Sequence, residues 1–293
     1  MATINGTNFN DNNTVNGNGL FHPALVGRVD PGFMIINGLL VFTTDLPDKI
    51  NGLDGNDIIH ALGTNDTLNG GNGNDILNGN AGNDWIDGGF GLDVMNGGTG
   101  IDTLDVTFWG GAYSLNMNTG LTNFAGEFAF NFENVNTGAG SDKIVGTAGN
   151  NIINTGLGND VIDARAGNDT VKGGAGADFI AGGSGNDTLT GGADQDSLVG
   201  GTGADRFDFN FVSESPSGGL IDHILDFNRL EGDKIDLSTI DANVLLQGNQ
   251  AFAAAQLSYN AAGILTANVL FGADIQINLV GAPALNFAAD IIA

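Results

Sequence analysis

Gly70-Gly71-Asn72-Gly73-Asn74-Asp75-Ile76-Leu77-Asn78 opens a stretch that repeats in nines as far as Asp105, and a matching stretch runs from Gly173 to Asp208. The unit is Gly-Gly-x-Gly-x-Asp-x-U-x, with U a large apolar side chain. Followed outward, the register holds through six unbroken nonads, Gly52 to Asp105, and through eight more, Thr137 to Asp208. A weaker copy, Thr43 to Asn51 with Asp48 and Ile50 in place, leads into the first block. Position eight is apolar in all fourteen nonads, from Ile59 to Phe207. Position six is Asp in thirteen, with Asn151 the exception, and position four is Gly in twelve, with Thr64 and Asp194 the exceptions.

This period has a direct physical reading. The first six residues of each nonad turn tightly, because Gly has no Cβ and accepts left-handed backbone angles. The remaining x-U-x predicts a three-residue strand of roughly 10 Å with one inward side chain. Turn and strand alternate between opposite edges, so two nonads close one coil and the U residues stack into a narrow core. The expected fold is all-β, a parallel β-roll in two blocks. One edge of the first block then carries Asp57, Asp75 and Asp93, and the other Asp66, Asp84 and Asp102. In the second block the edges carry Asp142, Asp160, Asp178 and Asp196, and Asn151, Asp169, Asp187 and Asp205.

Strands about 4.8 Å apart bring these carboxylates close together. Like charges at that spacing resist ionisation unless a cation lies between them. Calcium, a hard ion that takes six to eight oxygen ligands, suits carboxylates and backbone carbonyls, whereas magnesium demands a tighter octahedron and keeps its waters. The turn glycines Gly70, Gly73, Gly79, Gly82, Gly88 and Gly91, with Gly173, Gly176, Gly182 and Gly185, are the expected backbone part of these sites. If every neighbouring pair of turns is used, about ten calcium ions are expected. Without the metal, a Gly/Asn/Asp chain of this kind is expected to stay disordered. The interruptions at Asn151, Arg165 and Asp194 predict weaker sites around their turns.

The nonad resembles the calcium-binding signature of RTX (repeats-in-toxin) proteins, a resemblance that is specific over both blocks. From the end of the last nonad the chain changes to longer strands, Phe207-Asp208-Phe209-Asn210-Phe211 first and then, within 209–293, Ile221 to Phe227, Gly232 to Asp241, Gln247 to Phe252 and Ile275 to Leu279. They resemble the C-terminal domain of the serralysin metalloproteases and the end of the calcium modules of alginate epimerases. That resemblance implies a C-terminal β-sandwich-like domain and an uncleaved type I secretion signal, here Phe287-Ala288-Ala289-Asp290-Ile291-Ile292-Ala293. It implies a secreted, extracellular protein whose partners are calcium ions and a type I exporter.

The remaining segments are a cap over residues 1–50, a first roll over 51–105, bridging strands over 106–136 and a second roll over 137–208. In the cap, Phe33 to Ile36 and Leu39 to Phe42 flank Asn37-Gly38, a strong hairpin signal. Ile4 to Thr7 with Asn10-Asp11 looks like a decayed nonad, and His22 reads as a cap or surface residue. The hairpin closes the roll, as repeat ends require; insertion into a membrane or a partner is the alternative. In the bridge, Trp109, Tyr113 and the Phe124 to Phe132 cluster form either a sheet layer or a sugar-stacking surface.

Composition narrows the function. The 293 residues carry 34 acids against 8 bases, a net charge of −26, which opposes binding to nucleic acid. There is no Cys, so neither disulfides nor thiol chemistry contribute. No apolar run is long enough to span a bilayer as a helix, and Met1 to Gly6 lacks the start of a Sec signal. His22, His60 and His223 are isolated, without the His-Glu-x-x-His of a zinc protease, so no enzyme is expected. The expectation is a protein that folds on calcium outside the cell and contacts a surface or a cell-surface carbohydrate. A membrane-active, pore-forming protein and an enzyme with a cryptic site are the alternatives.

Overall fold

The structure is a computed structural model that describes residues 2–5, 33–36, 39–42, 47–61, 63–211, 213–215, 220–240, 257–267, 275–282 and 285–292. The chain divides into two compact units, Met1–Trp109 with Tyr113–Thr137, and Gly110–Ala112 with Gly138–Ala293. His22, Asn10-Asp11, the Asn37-Gly38 turn and the stretch from Gln247 to Phe252 lie outside the described residues.

In the first unit, one sheet is parallel throughout, in the order Ala2–Asn5, Asp48–Asp54, Thr67–Asn72, Trp85–Phe90, Thr103–Asp105, Asn134–Asn136. The other runs Phe33–Ile36, Leu39–Phe42, Ile58–His60, Ile76–Ala81, Val94–Thr99, Phe128–Phe130 and ends on the antiparallel strands Leu121–Thr122 and Ser114–Asn116. Phe33–Ile36 and Leu39–Phe42 pair antiparallel, Phe33 opposite Phe42, which is the expected hairpin at the start of the sheet. The repeats pair at a constant offset of two nonads, for instance Ile58 with Ile76 and Thr67 with Trp85. Successive nonads therefore alternate between the sheets, as the pattern predicted.

The second unit repeats this plan. One sheet holds Ile152–Leu157, Thr170–Ala175, Thr188–Ala193, Arg206–Asp208, Lys234–Asp236 and Ile291–Ile292. The other holds Lys143–Val145, Val161–Asp163, Phe179–Ser184, Ser197–Thr202, Asp222–Ile224 and Ile275–Leu279, followed by antiparallel Ile264–Ala267 and Leu257–Tyr259.

The core is the position-eight column. Leu68, Leu77, Ile86, Leu104, Ile144, Ile153, Val171, Leu198 and Phe207 are all 0% exposed. Val135, Ile224 and Ile235 extend it beyond the nonads. A core with one inward side chain per strand gains little area per rung, at roughly 25 cal/mol for each Å² of apolar surface removed from water.

One expectation needs correction and another is not confirmed. Many repeat strands are longer than three residues: Thr67–Asn72, Trp85–Phe90 and Phe179–Ser184 each have six, taking in positions one to three of the next nonad, whereas Ile58–His60, Thr103–Asp105 and Val161–Asp163 keep the expected three. Glycines without side chains let neighbouring backbones stay paired there, so the turn proper shrinks. The C-terminal sandwich expected over 209–293 is not confirmed by the described residues. Strands Asp222–Ile224, Lys234–Asp236, Ile275–Leu279 and Ile291–Ile292 instead add rungs to the two sheets. The reason lies in the sequence, where Asp222-His223-Ile224 and Asp233-Lys234-Ile235 keep the Asp-x-U spacing without the glycines.

Candidate metal centre

Each repeat Asp enters its turn beside the Asp of the next coil, and one carboxylate oxygen of each binds the turn before it. In the first unit, the Asp57 N–H donates to Asp75 Oδ1 and the Asp75 N–H to Asp93 Oδ1, both at 2.8 Å. On the opposite edge the Asp66 N–H donates to Asp84 and the Asp84 N–H to Asp102, again at 2.8 Å. In the second unit Asp142, Asp160, Asp178 and Asp196 are linked in the same way, as are Asn151, Asp169, Asp187 and Asp205.

The other oxygen decides the chemistry. Oδ2 of Asp75, Asp84, Asp102, Asp160, Asp169, Asp178, Asp187, Asp196 and Asp205 is buried and accepts no hydrogen bond. An unpaired buried anion is costly, and it neutralises by taking a proton or by taking a cation. Burial pushes Asp75, Asp102 and Asp205 up to about 6, and Asp93, Asp169, Asp178 and Asp196 up to about 7. Neighbouring carboxylates add to the shift, Asp160 and Asp194 in the case of Asp178.

The glycines make room beside these oxygens. A Cβ on Gly70, Gly79 or Gly173 would strike Oδ2 of Asp75, Asp84 or Asp178 and crowd the carbonyl oxygen of Gly88, Gly97 or Gly191 on the next coil. A Cβ on Gly88 or Gly182 would likewise meet the carboxylate of Asp93 or Asp187. At position four, Gly73, Gly82, Gly91, Gly176 and Gly185 have φ between +122° and +153°, with the carbonyl of the preceding coil packed where a Cβ would be. Each turn pair thus offers carboxylate and carbonyl oxygens around a small cradle, a donor set that fits a hard cation and calcium above others.

Some members of this site were not read from the sequence. Where the nonads stop, other acids take over: the Asp102 N–H donates to Glu133 Oε2 at 2.8 Å, Asp196 to Asp222 at 2.8 Å and Asp205 to Asp233 at 3.0 Å. Each of these acids stands two places before a core residue, Val135, Ile224 and Ile235, and that spacing is the signal that could have found them. A second column runs along position five, where Asn56 accepts from the Asn74 N–H at 2.8 Å and Asn74 from the Leu92 N–H at 3.0 Å. It joins turns through neutral groups, holding the coils together without adding charge.

The irregular turns differ in kind. The Asn151 carboxamide bends back onto its own turn, its Oδ1 accepting from the Thr147 N–H at 2.8 Å. Thr155 stands at position one in place of glycine, and its hydroxyl donates to the Gly173 carbonyl at 2.9 Å, occupying the cradle from within. Arg165 and Asp194 hold φ of 78° and 81°, where glycine is the unstrained residue. Arg165→Gly is therefore expected to stabilise the calcium-loaded fold by about 1 kcal/mol, the scale of a left-handed angle in an L-residue. A melting temperature in calcium that is unchanged or lowered would contradict this account of the turn.

The bridging segment belongs to the first unit and builds a second feature there. Phe90, Phe108, Trp109, Tyr113 and Phe124 line a cavity of about 80 Å³ that also reaches Asp93 and Glu127. Phe90 meets Phe108 edge to face at 5.1 Å and Trp109 meets Phe124 at 5.3 Å. The Tyr113 hydroxyl donates to Glu127 Oε1 at 2.7 Å, while Trp109 Nε1 is buried with no acceptor.

Residues 42–77, 69–104, 136–171 and 172–207 match the family described as the RTX calcium-binding nonapeptide repeat (4 copies). Among solved structures, the AlgE6R3 subunit from the Azotobacter vinelandii mannuronan C5-epimerase is 28% identical, over 52% of this chain and 77% of its own, with a TM-score of 0.33. The extracellular lipase LipA from Serratia marcescens is 20% identical, over 86% of this chain and 40% of its own, with a TM-score of 0.27. No curated protein matches the chain.

Proposed function

The chain carries RTX calcium-binding nonapeptide repeats, and from that premise we propose that it is a secreted protein that folds only when calcium reaches it outside the cell. One observation carries this reading: the columns of buried aspartates whose second oxygen has no hydrogen-bond donor. Such columns are tolerable in a chain that stays unfolded at low cytosolic calcium and closes around the metal at its destination. The C-terminal residues address the type I exporter in this scheme.

Circular dichroism of the purified chain through a calcium titration tests the folding step. Structure gained with the metal supports the reading, and a chain already ordered in chelator overturns it. Deleting residues 270–293 and following export tests the address.

The folded protein then binds a carbohydrate surface. What supports this is the aromatic cavity of the first unit. Aromatic ring faces suit the apolar face of a pyranose, and the unpartnered Trp109 Nε1–H together with Glu127 suits its hydroxyls, which both accept and donate. A net charge of −26 favours a neutral or amino sugar over an acidic one. In a Trp85→Phe protein, Trp109 is the sole indole, and its fluorescence is expected to shift on titration with neutral or amino-sugar oligosaccharides in calcium. Trp109→Ala is expected to weaken retention on such a glycan at least tenfold. A flat titration with every oligosaccharide would remove the carbohydrate reading and leave calcium folding untouched. Among the described residues, no helix is long and apolar enough to cross a membrane.

A further inference from the structure

We propose that the aromatic cavity of the first unit seats an ammonium group with a hydroxyl on the neighbouring carbon, the pairing that a 2-amino sugar with a free amine presents. This rests on the carbohydrate reading above and narrows it from neutral or amino sugars to cationic ones. Choline-type alcohols carry the same pair of groups, and titration separates the two sources.

The walls come from three places in the chain. Phe90 is the last residue of strand Trp85–Phe90. Phe108 and Trp109 lie on the turn after Thr103–Asp105, where the Trp109 N–H donates to the Val106 carbonyl at 3.0 Å. Tyr113, Phe124 and Glu127 belong to the bridging segment, which is fixed to the roll where Phe128 pairs beside Val94. All of them fall within the first unit.

The rings meet at steep angles and do not form a flat platform. Phe90 and Phe108 stand at 77° and Trp109 and Phe124 at 88°, while Tyr113 is tilted by 41° against Phe124 at 6.1 Å. Rings set in this way wall a compact volume, about 80 Å³, on several sides. A small rounded group fills that volume better than the broad face of a whole pyranose, for which the exposed Phe90 and Phe108 remain free. A cation within about 6 Å of aromatic ring centres is attracted by their quadrupoles.

Glu127 supplies the countercharge. It is buried, and its Oε1 accepts from the Tyr113 hydroxyl at 2.7 Å. Burial and the adjacent carboxylate hold the Tyr113 proton well above its ordinary range, so the negative charge of the pair stays on Glu127. No Lys or Arg occurs between residues 50 and 137 to neutralise it. Asp93 also lines the cavity, but it belongs to the calcium columns, where the metal shares its charge. A buried carboxylate without a countercharge is costly, and a bound ammonium removes that cost. Trp109 Nε1, buried without an acceptor, is the donor left for the hydroxyl oxygen beside the ammonium.

Isothermal titration calorimetry of the full chain in saturating calcium tests this. Glucosamine oligomers with free amines are expected to bind at least tenfold tighter than their N-acetylated counterparts, which keep the ring and lose the charge. Choline is set beside its uncharged carbon isostere in the same way. Glu127→Gln keeps an acceptor for Tyr113 and is expected to weaken ammonium binding at least tenfold. General attraction of a cation to so acidic a chain would leave E127Q unchanged, and that result overturns the proposal. Should E127Q fail to fold in calcium, Phe108→Leu decides, since it removes an exposed ring and no charge: a loss of at least threefold supports the seat, and an unchanged affinity overturns it. N-acetylated oligomers bound as well as the free amines also overturn it and leave the carbohydrate reading standing. Choline bound in preference to its isostere, with every oligosaccharide silent, keeps the ammonium seat and removes the carbohydrate reading. Silence toward all of these ligands refutes both.

Discussion

Withdrawing calcium at neutral pH is expected to cost this protein its folded state outright, not merely a few degrees of melting temperature. Extracellular calcium modules bind at about 0.1–1 mM. At about 10 mM calcium, one site of about 0.1 mM contributes about 2.7 kcal/mol. A few such sites equal the 5–15 kcal/mol that separates a typical domain from its unfolded chain. Little else is present to replace them. The core of each roll is narrow, one column of apolar side chains from each sheet, there is no disulfide, and the 34 acids repel one another. Thermal melts in excess chelator should show no cooperative transition, and added calcium should restore one that magnesium does not. A cooperative melt in chelator at a similar temperature would mean that the orphaned carboxylate oxygens are satisfied by something other than metal.

Acid is expected to act in opposite directions on the two forms of the chain. In the metal-free fold, burial raises Asp75 and Asp102 to about 6 and Asp93, Asp169, Asp178 and Asp196 to about 7, against a usual carboxylate value near 3.8. Over that interval the folded chain holds more protons than the unfolded one, so its stability rises as pH falls. The contribution is fully present below the unfolded value and is lost as pH climbs through 6 to 7. In chelator, the far-ultraviolet signal of β-structure should therefore increase between pH 8 and pH 4. In calcium the sign reverses, because the metal needs ionised oxygens and protons compete for them. The calcium concentration at half-folding should rise as pH falls from 7 to 5. A chelated chain equally disordered at both ends of the range would show that proton uptake alone cannot relieve the columns.

Most of the fold could be read from the period. Nine residues with one apolar side chain fix which residues face inward, and the alternation of edges fixes which aspartates meet, so Asp178 falls between Asp160 and Asp196 without reference to coordinates. The strand lengths were less legible, because two glycines in sequence suggest a turn when considered alone. Paired against two glycines of the next coil, they can remain in the sheet.

The places where the repeat stops were least legible. Glu133, Asp222 and Asp233 carry no glycine signature, and their partners lie 31, 26 and 28 residues away. No fixed spacing announces such a pairing. The aromatic cavity is similar: Trp109, Tyr113 and Phe124 suggest a cluster in one dimension, but their meeting with Phe90 and Asp93 depends on Phe128 pairing beside Val94.

By itself, then, the sequence determined the coil, its apolar column and the acidic edges that call for calcium, because a strict local period leaves the chain only one way to bury U. Only the tertiary structure decided how the coils end, which acids close each column and whether their second oxygen is satisfied. Those outcomes depend on segments of irregular length returning to a sheet edge, and the hydrogen bonds waiting there, rather than any local preference, select the residue that arrives.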